Sequence, residues 1–270
     1  MGRGFLAVLR SYAVLGIVVV LAPLAVVVLA SFTDAQFVSF PPTRWGFIWY
    51  VRAVHDSLLV SALELSLVVA LITAVVAGAL GTLAALGIRR YRFPGSDVVS
   101  TALLAPIALP HIVIAIGLLE LLSFLRVGTA PLGLILGDVA IAIPFTLRLA
   151  MTGLYSLDPL LEKAAYNLGA SAPYTFRRIT LPLIAPAVLA GVVFAFLISW
   201  DETTIAIFMS TPGHITLPVQ IFDDIQETSD PGVIAASSLM IAISVVLLIV
   251  VDRAFGFLRL LSGGQLGEDR

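Results

Sequence analysis

Six long apolar stretches constrain this chain more than any other feature. They run over about residues 11–31, 58–88, 97–125, 132–155, 183–209 and 233–258. A helix needs roughly 20 apolar residues to cross the hydrocarbon core of a bilayer, and each stretch reaches that length. A backbone in lipid is satisfied only inside a helix or a closed barrel, and these runs lack the alternation of barrel strands. The expectation is an all-α, polytopic membrane protein of about six spans. Composition agrees, with 60% of the 270 residues hydrophobic and only 12% charged, well below the charge of a soluble domain. A net charge of −2 without a basic stripe argues against nucleic acid as a partner. With no cysteine, the chain has no disulfide, thiolate metal site or cysteine nucleophile.

The first stretch follows Arg3 and Arg10, as a signal peptide would. Its apolar run exceeds a signal core of roughly 7–15 residues and no small-residue cleavage site follows, so it reads as a retained anchor. With both termini inside, the inner segments hold eleven basic residues and the outer ones three, Arg44, Arg52 and Arg126. The positive-inside bias selects that topology. The expected organisation is an anchor helix with an outer loop over 1–57, a core over 58–258 and an inner tail over 259–270. Pro106, Pro110, Pro144 and Pro186 fall inside spans and bend them. Ordinary kinking and a pathway role both account for such breaks.

One polar segment, residues 158–182, separates the fourth and fifth stretches. Asp158-Pro159 opens it, and Leu160 to Leu168 are good helix formers. Gly169 suits a left-handed helix end. Ser171 then stands as an N-cap, with Pro173 just inside a second short helix running through Ile179. Pro182 marks the return to the membrane. The spacing is specific: Ala164-Ala165, then Gly169, then nine residues to Ile179, then Leu181-Pro182.

The segment EKAAYNLGASAPYTFRRITLP, Glu162 to Pro182, resembles the EAA loop of permease subunits of binding-protein-dependent ABC importers. That resemblance implies the type I importer permease fold in a bacterial inner membrane. It implies two ATPase subunits carrying ATP and magnesium, a second and non-identical permease subunit, and an extracytoplasmic substrate-binding protein. It gives the loop the task of docking into a cleft of the ATPase. Gly169 would be the turn that seats the helix, Ala164 and Ala165 the close packing, and Tyr174, Phe176 and Arg177 part of the contact surface. The motif's leading acid is Lys163 here, with Glu162 one residue earlier, so the usual ion pair is reversed, relocated or absent.

A second motif points the wrong way. Leu261 to Gln265 spells LSGGQ, the signature of ABC ATPase domains. The chain has no G-x-x-x-x-G-K-[ST] phosphate loop, and its one lysine is Lys163. Without that loop there is no nucleotide site to complete, so the five letters are read as tail sequence and the chain as no ATPase itself.

Five acids lie within apolar stretches: Glu64, Glu120, Asp138, Asp201 and Glu202. Charges at such depth are costly and face a cavity or a partner. Under the inferred topology all five fall in the outer halves of their spans, which makes a negative vestibule attractive to cations. Arg126 is available to pair with Glu120. On a continuous helix Asp201 and Glu202 are about 100° apart, so one of them would face the path. Trp200 offers a cation–π wall or an interfacial anchor, and His111 either lines the path or is a satisfied buried histidine. The run Ser199 to Phe222, SWDETTIAIFMSTPGHITLPVQIF, is similar to spermidine/putrescine permeases, as is Gly81 to Gly95. That resemblance implies a polyamine cargo passing an acid at position 201 or 202. Related permeases for aminophosphonates and amino-acid-like solutes share the pattern, and a secondary cation carrier is the competing class.

Overall fold

The computed structural model describes residues 3–37, 39–91, 94–227 and 231–255. The tail at 259–270, with its LSGGQ letters, lies outside them. In chain order the helices are α1 (Arg3–Ser31), α2 (Ile48–His55), α3 (Ser57–Arg90), α4 (Ser96–Leu104), α5 (His111–Phe124), α6 (Leu132–Ser156) and α7 (Pro159–Asn167). They continue as α8 (Ala172–Thr175), α9 (Leu181–Trp200), α10 (Thr204–Met209), α11 (Leu217–Glu227) and α12 (Gly232–Phe255). Among the described residues, extended pairing is limited to the isolated bridges Thr33–Trp45 and Thr211–His214. The chain is all-α.

Five helical stretches are long and apolar enough to cross a membrane: Arg10–Ser31, Ser57–Arg90, Leu132–Ser156, Ala172–Trp200 and Gly232–Val250. The third apolar stretch of the sequence is a broken pair, Ser96–Ala108 and His111–Phe124, bent by 107°. Proline chemistry explains the break. Leu109 precedes Pro110, and the ring of Pro110 excludes the helical conformation at its predecessor. Leu109 accordingly has ψ 136°, and Pro110 itself has ψ 133°. Two consecutive extended residues turn the chain sharply.

Two expectations need correction. The second short helix of the polar loop does not stop at Ile179. It runs from α8 through a π turn, Phe176–Thr180, directly into α9. Leu181 N–H bonds back to Phe176 O, five residues away. Pro182 has no N–H to offer the Arg178 carbonyl, and its ring would press on that carbonyl in a regular turn, so a widened turn relieves it. The fifth apolar stretch, in turn, is not helical throughout to 209. α9 ends at Trp200, and α10 begins only at Thr204.

Contacts divide the chain into two compact units, Met1–Ser61 with Gln220–Val246, and Ala62–Val219 with Leu247–Arg270. In the first, the Tyr50 hydroxyl donates to Ser238 Oγ at 3.0 Å and lies 2.5 Å from Ser31 Oγ. Ser31 Oγ in turn donates to Val28 O, at 2.6 Å. Phe32, Phe47 and Tyr50 pack ring to ring around that relay, with centroids 5.4–6.2 Å apart.

The second unit is built on α3, α6 and α9. Small residues on α3 (Ala70, Ala74, Ala77, Gly78, Gly81 and Ala85) are all buried and let the helices approach closely. A Cβ on Gly81 would meet the Thr146 hydroxyl and stand 2.8 Å from Leu147 N. From α9, Gly191 faces the Thr146 backbone in the same way, at 3.2 Å. Thr146 donates to Ala77 O on α3 at 2.8 Å and lies 2.9 Å from Ile143 O in its own helix. One hydroxyl thus joins two helices at their tightest crossing. A separate apolar cluster, including Ala115, Leu122, Leu134, Ile141, Ile205 and Met209, packs α5 and α10 onto α6. That cluster sets the place of the acids.

Candidate functional site

The two helix breaks of the second unit come together. α5 begins at His111 immediately after the Pro110 bend, and Glu202 sits in the break between α9 and α10. Apolar packing of Ala115 and Ile205 in one cluster brings these ends into register. The His111 Nδ1 lies 2.8 Å from Glu202 Oε2. Glu202 Oε1 accepts the Ile205 N–H at 2.9 Å, which satisfies a free amide in the first turn of α10. The carboxylate is buried, at 6% exposure, while the imidazole is 44% exposed. The buried acid thus has a half-exposed ring on one of its two oxygens.

Asp138 on α6 belongs to the same neighbourhood. It is 3% exposed and accepts a 2.5 Å hydrogen bond from Ser199 Oγ, three residues before Glu202. Ser199 was not singled out among the candidate residues. Its separation of 61 positions from Asp138 leaves no local signal. Asp201 is exposed at the C-terminal cap of α9, where its N–H bonds to Leu197 O. Because the helix has ended, Asp201 and Glu202 differ by burial and not by a helical angle. Trp200 is 1% exposed and stacks on Phe196 with centroids 5.8 Å apart. Its Nε1 has no hydrogen-bond partner among the described residues. Glu64 is exposed on α3 and takes part in none of these bonds. Glu120 and Arg126 are both exposed and do not pair.

The polar loop forms a second, separate feature of the same unit. Asp158 caps α7, its Oδ1 accepting the Leu160 N–H at 2.9 Å. α7 ends at Asn167 with Leu168 as its C-cap, and Gly169 beyond it has φ 83°, a conformation that glycine adopts without strain. No atom lies within 4 Å of where a Cβ on Gly169 would stand, so conformation alone selects glycine there. Ala165 is buried, whereas Lys163 and Ala164 are exposed. Glu162 accepts a hydrogen bond from the Thr180 hydroxyl, which ties α7 to the π turn. The acid displaced by one position thus has an internal partner, and Lys163 points to solvent. Tyr174 and Arg177 are exposed, Phe176 and Ile179 partly so, and Leu181 and Pro182 exposed again at the start of α9.

Leu168 is 88% exposed beside Gly169, and Leu160 is 65% exposed on the same helix. These leucines were missed as candidates because a helix-forming leucine reads as core. Both are exposed apolar side chains at the two ends of the loop's first helix.

An all-helical chain with five to six apolar spans, acids gathered at a helix break and a structured polar loop is a membrane permease component. The chain belongs to the family described as "Binding-protein-dependent transport system inner membrane component", whose model matches residues 77–259. It is 33% identical over 234 residues to the putrescine transport system permease protein PotI of Escherichia coli K12, covering 84% of this chain and 83% of that one. It is 31% identical over 230 residues to the spermidine/putrescine permease PotC of the same organism, covering 84% and 86%. A sulfate transport system permease protein, CysT of Salmonella typhimurium, is 31% identical over 225 residues, covering 77% and 80%. In fold, the chain matches a solved bacterial ABC transporter involved in import of alginate, with TM-score 0.69 at 19% identity, over 90% of this chain and 92% of that one. The chain is thus a multi-pass inner-membrane permease subunit.

Proposed function

We propose that this subunit carries a small organic cation of the polyamine class, delivered by an external binding protein and driven by two ATPase subunits. A second, non-identical permease would complete the pathway. The observation that carries the reading is Glu202: a buried carboxylate at a helix break, covered by a half-exposed imidazole and flanked by the exposed Asp201. Buried acids in membrane helices are expensive and face a path or a partner. An ammonium group entering from the Asp201 side would meet two successive carboxylates. The names of the putrescine and spermidine/putrescine relatives support the same cargo class.

In this mechanism residues 158–182 dock into the ATPase. Leu168, Tyr174 and Arg177 form the contact, and Gly169 allows the turn that presents them. The π turn joins the loop to α9 without a flexible break, so a push on the loop is transmitted along α9 to Asp201 and Glu202. Alternating access then follows from movement of α9 relative to its neighbours.

The test is uptake in vesicles holding the assembled importer, its binding protein and ATP. Labelled putrescine and spermidine should accumulate, and sulfate should not. Uptake of an anion in place of the diamines would reject the cation reading and leave the importer reading standing. The sulfate permease relative makes that a real alternative. Aminophosphonates and amino-acid-like solutes belong in the same screen. Uptake driven by an ion gradient without ATP would reject the importer reading in favour of a secondary carrier.

A further inference from the structure

A cavity of mixed lining, with Leu86, Leu154 and Leu157 beside its charged residues, lies far along α3 from Glu64. It has a volume of about 190 Å³, and its charged lining residues are Arg89, Arg90 and Glu162. Arg89 is held in place, its Cζ 5.2 Å from the Tyr155 ring centroid. Its Nη1 is buried and has no hydrogen-bond acceptor among the described residues. Arg90 donates from Nη2 to the Tyr166 hydroxyl at 2.8 Å, and Tyr166 belongs to α7. Glu162 makes no ion pair with either arginine, and one of its oxygens is taken by Thr180. A guanidinium nitrogen buried without an acceptor is costly, and a charged oxyanion is its best complement.

We propose that this cavity binds the phosphodiester of an anionic phospholipid headgroup, which braces the polar loop against the end of α3. Location supports it. The 34 residues of α3 span roughly 51 Å, against a hydrocarbon thickness of about 30 Å, so its terminal arginines reach the headgroup layer. Charge supports it too. Two arginines and one glutamate leave a single net positive charge, which matches a singly charged phosphodiester better than a phosphate dianion. Arginine's planar fork suits phosphate oxygens. The bound headgroup would touch α3 through Arg89 and α7 through Arg90 and its Tyr166 partner, so one lipid would report on the placement of the loop.

Native mass spectrometry of the full-length protein, with whatever subunits accompany it, provides the test. Three probes are added in turn to the detergent-purified protein: phosphatidylglycerol, a neutral galactolipid and inorganic phosphate. The wild type should retain one phosphatidylglycerol with at least tenfold higher occupancy than Arg89→Gln or Arg90→Gln. Arg89→Lys should retain part of it, galactolipid should not be held, and millimolar phosphate should not displace the lipid. If Arg89→Gln fails to fold, the exposed Arg90 carries the comparison alone. Equal retention in wild type and variants overturns the proposal. So does displacement by inorganic phosphate, which would make this a free-ion site. Loss of an accompanying subunit from Arg89→Gln with lipid unchanged also overturns it, since the cavity would then be a protein socket.

Discussion

His111 Nδ1 and Glu202 Oε2 stand 2.8 Å apart although 91 positions separate them in sequence. The contact joins the proline bend before α5 to the break before α10, so two irregular backbone segments are held by one polar pair. Removing the imidazole should leave a buried carboxylate oxygen without its partner, at a cost of about 1–3 kcal/mol. We expect His111→Ala to lower the thermal melting temperature of the purified protein. Adding Glu202→Gln should recover part of that loss, because the stranded charge is gone. Strictly additive costs in the double variant would show that the pair is not coupled.

The two neighbouring acids should differ in function. Asp201→Asn with Glu202→Gln keeps size and hydrogen bonding while removing both charges. For a cationic cargo, uptake should fall more than tenfold, since about 1.4 kcal/mol of lost stabilisation is already a factor of ten. Of the single variants, Glu202→Gln should cause the larger loss, because Glu202 is the buried member. Normal uptake by the double variant would make the acids structural.

The loop is open to a sharper test than glycine replacement alone. Gly169→Asp places a side chain where φ is 83° and should lower assembly or stimulated ATPase activity of the complex while the subunit still inserts. Leu168→Asp strains no backbone and alters only an 88% exposed side chain. It should reduce stimulated ATPase activity of the assembled complex to a similar degree. Full stimulation in Leu168→Asp would remove that residue from the docking surface.

Packing at Thr146 gives a stability prediction independent of cargo. Thr146→Val removes the hydroxyl that reaches Ala77 O and should cost about 0.6 kcal/mol, in line with polar contacts between membrane helices. Gly81→Leu forces a side chain into the Thr146–Leu147 surface and should cost far more, by separating α3 from α6. A shift in thermal midpoint checks both, with Gly81→Leu expected to give the lower value by a wide margin.

Local chemistry made much of this architecture readable in advance. Unbroken apolar runs specify helices in lipid wherever they occur, because no other backbone is satisfied there. Asp158 as a cap and Gly169 as a left-handed terminus follow from steric rules acting over a few residues. Proline at 110 announced a break, although its 107° angle depends on two extended residues and on what α5 then packs against. The end of α9 at Trp200 had no such marker, since residues 201–203 contain neither proline nor glycine. There the buried Glu202, accepting the Ile205 amide, restarts the chain as α10.

The pairings of the site belong to tertiary structure alone. Asp138 with Ser199, His111 with Glu202, and Glu162 with Thr180 are separated by 61, 91 and 18 positions. Apolar periodicity marks which residues avoid water, but it carries no information on which polar atom of one helix meets which of another. That choice is made when small residues let α3, α6 and α9 close around Thr146, and when the α5–α10 cluster packs against α6. The apolar runs and caps determined which segments are helical; close packing decided which acid is buried, which is open and what each one touches.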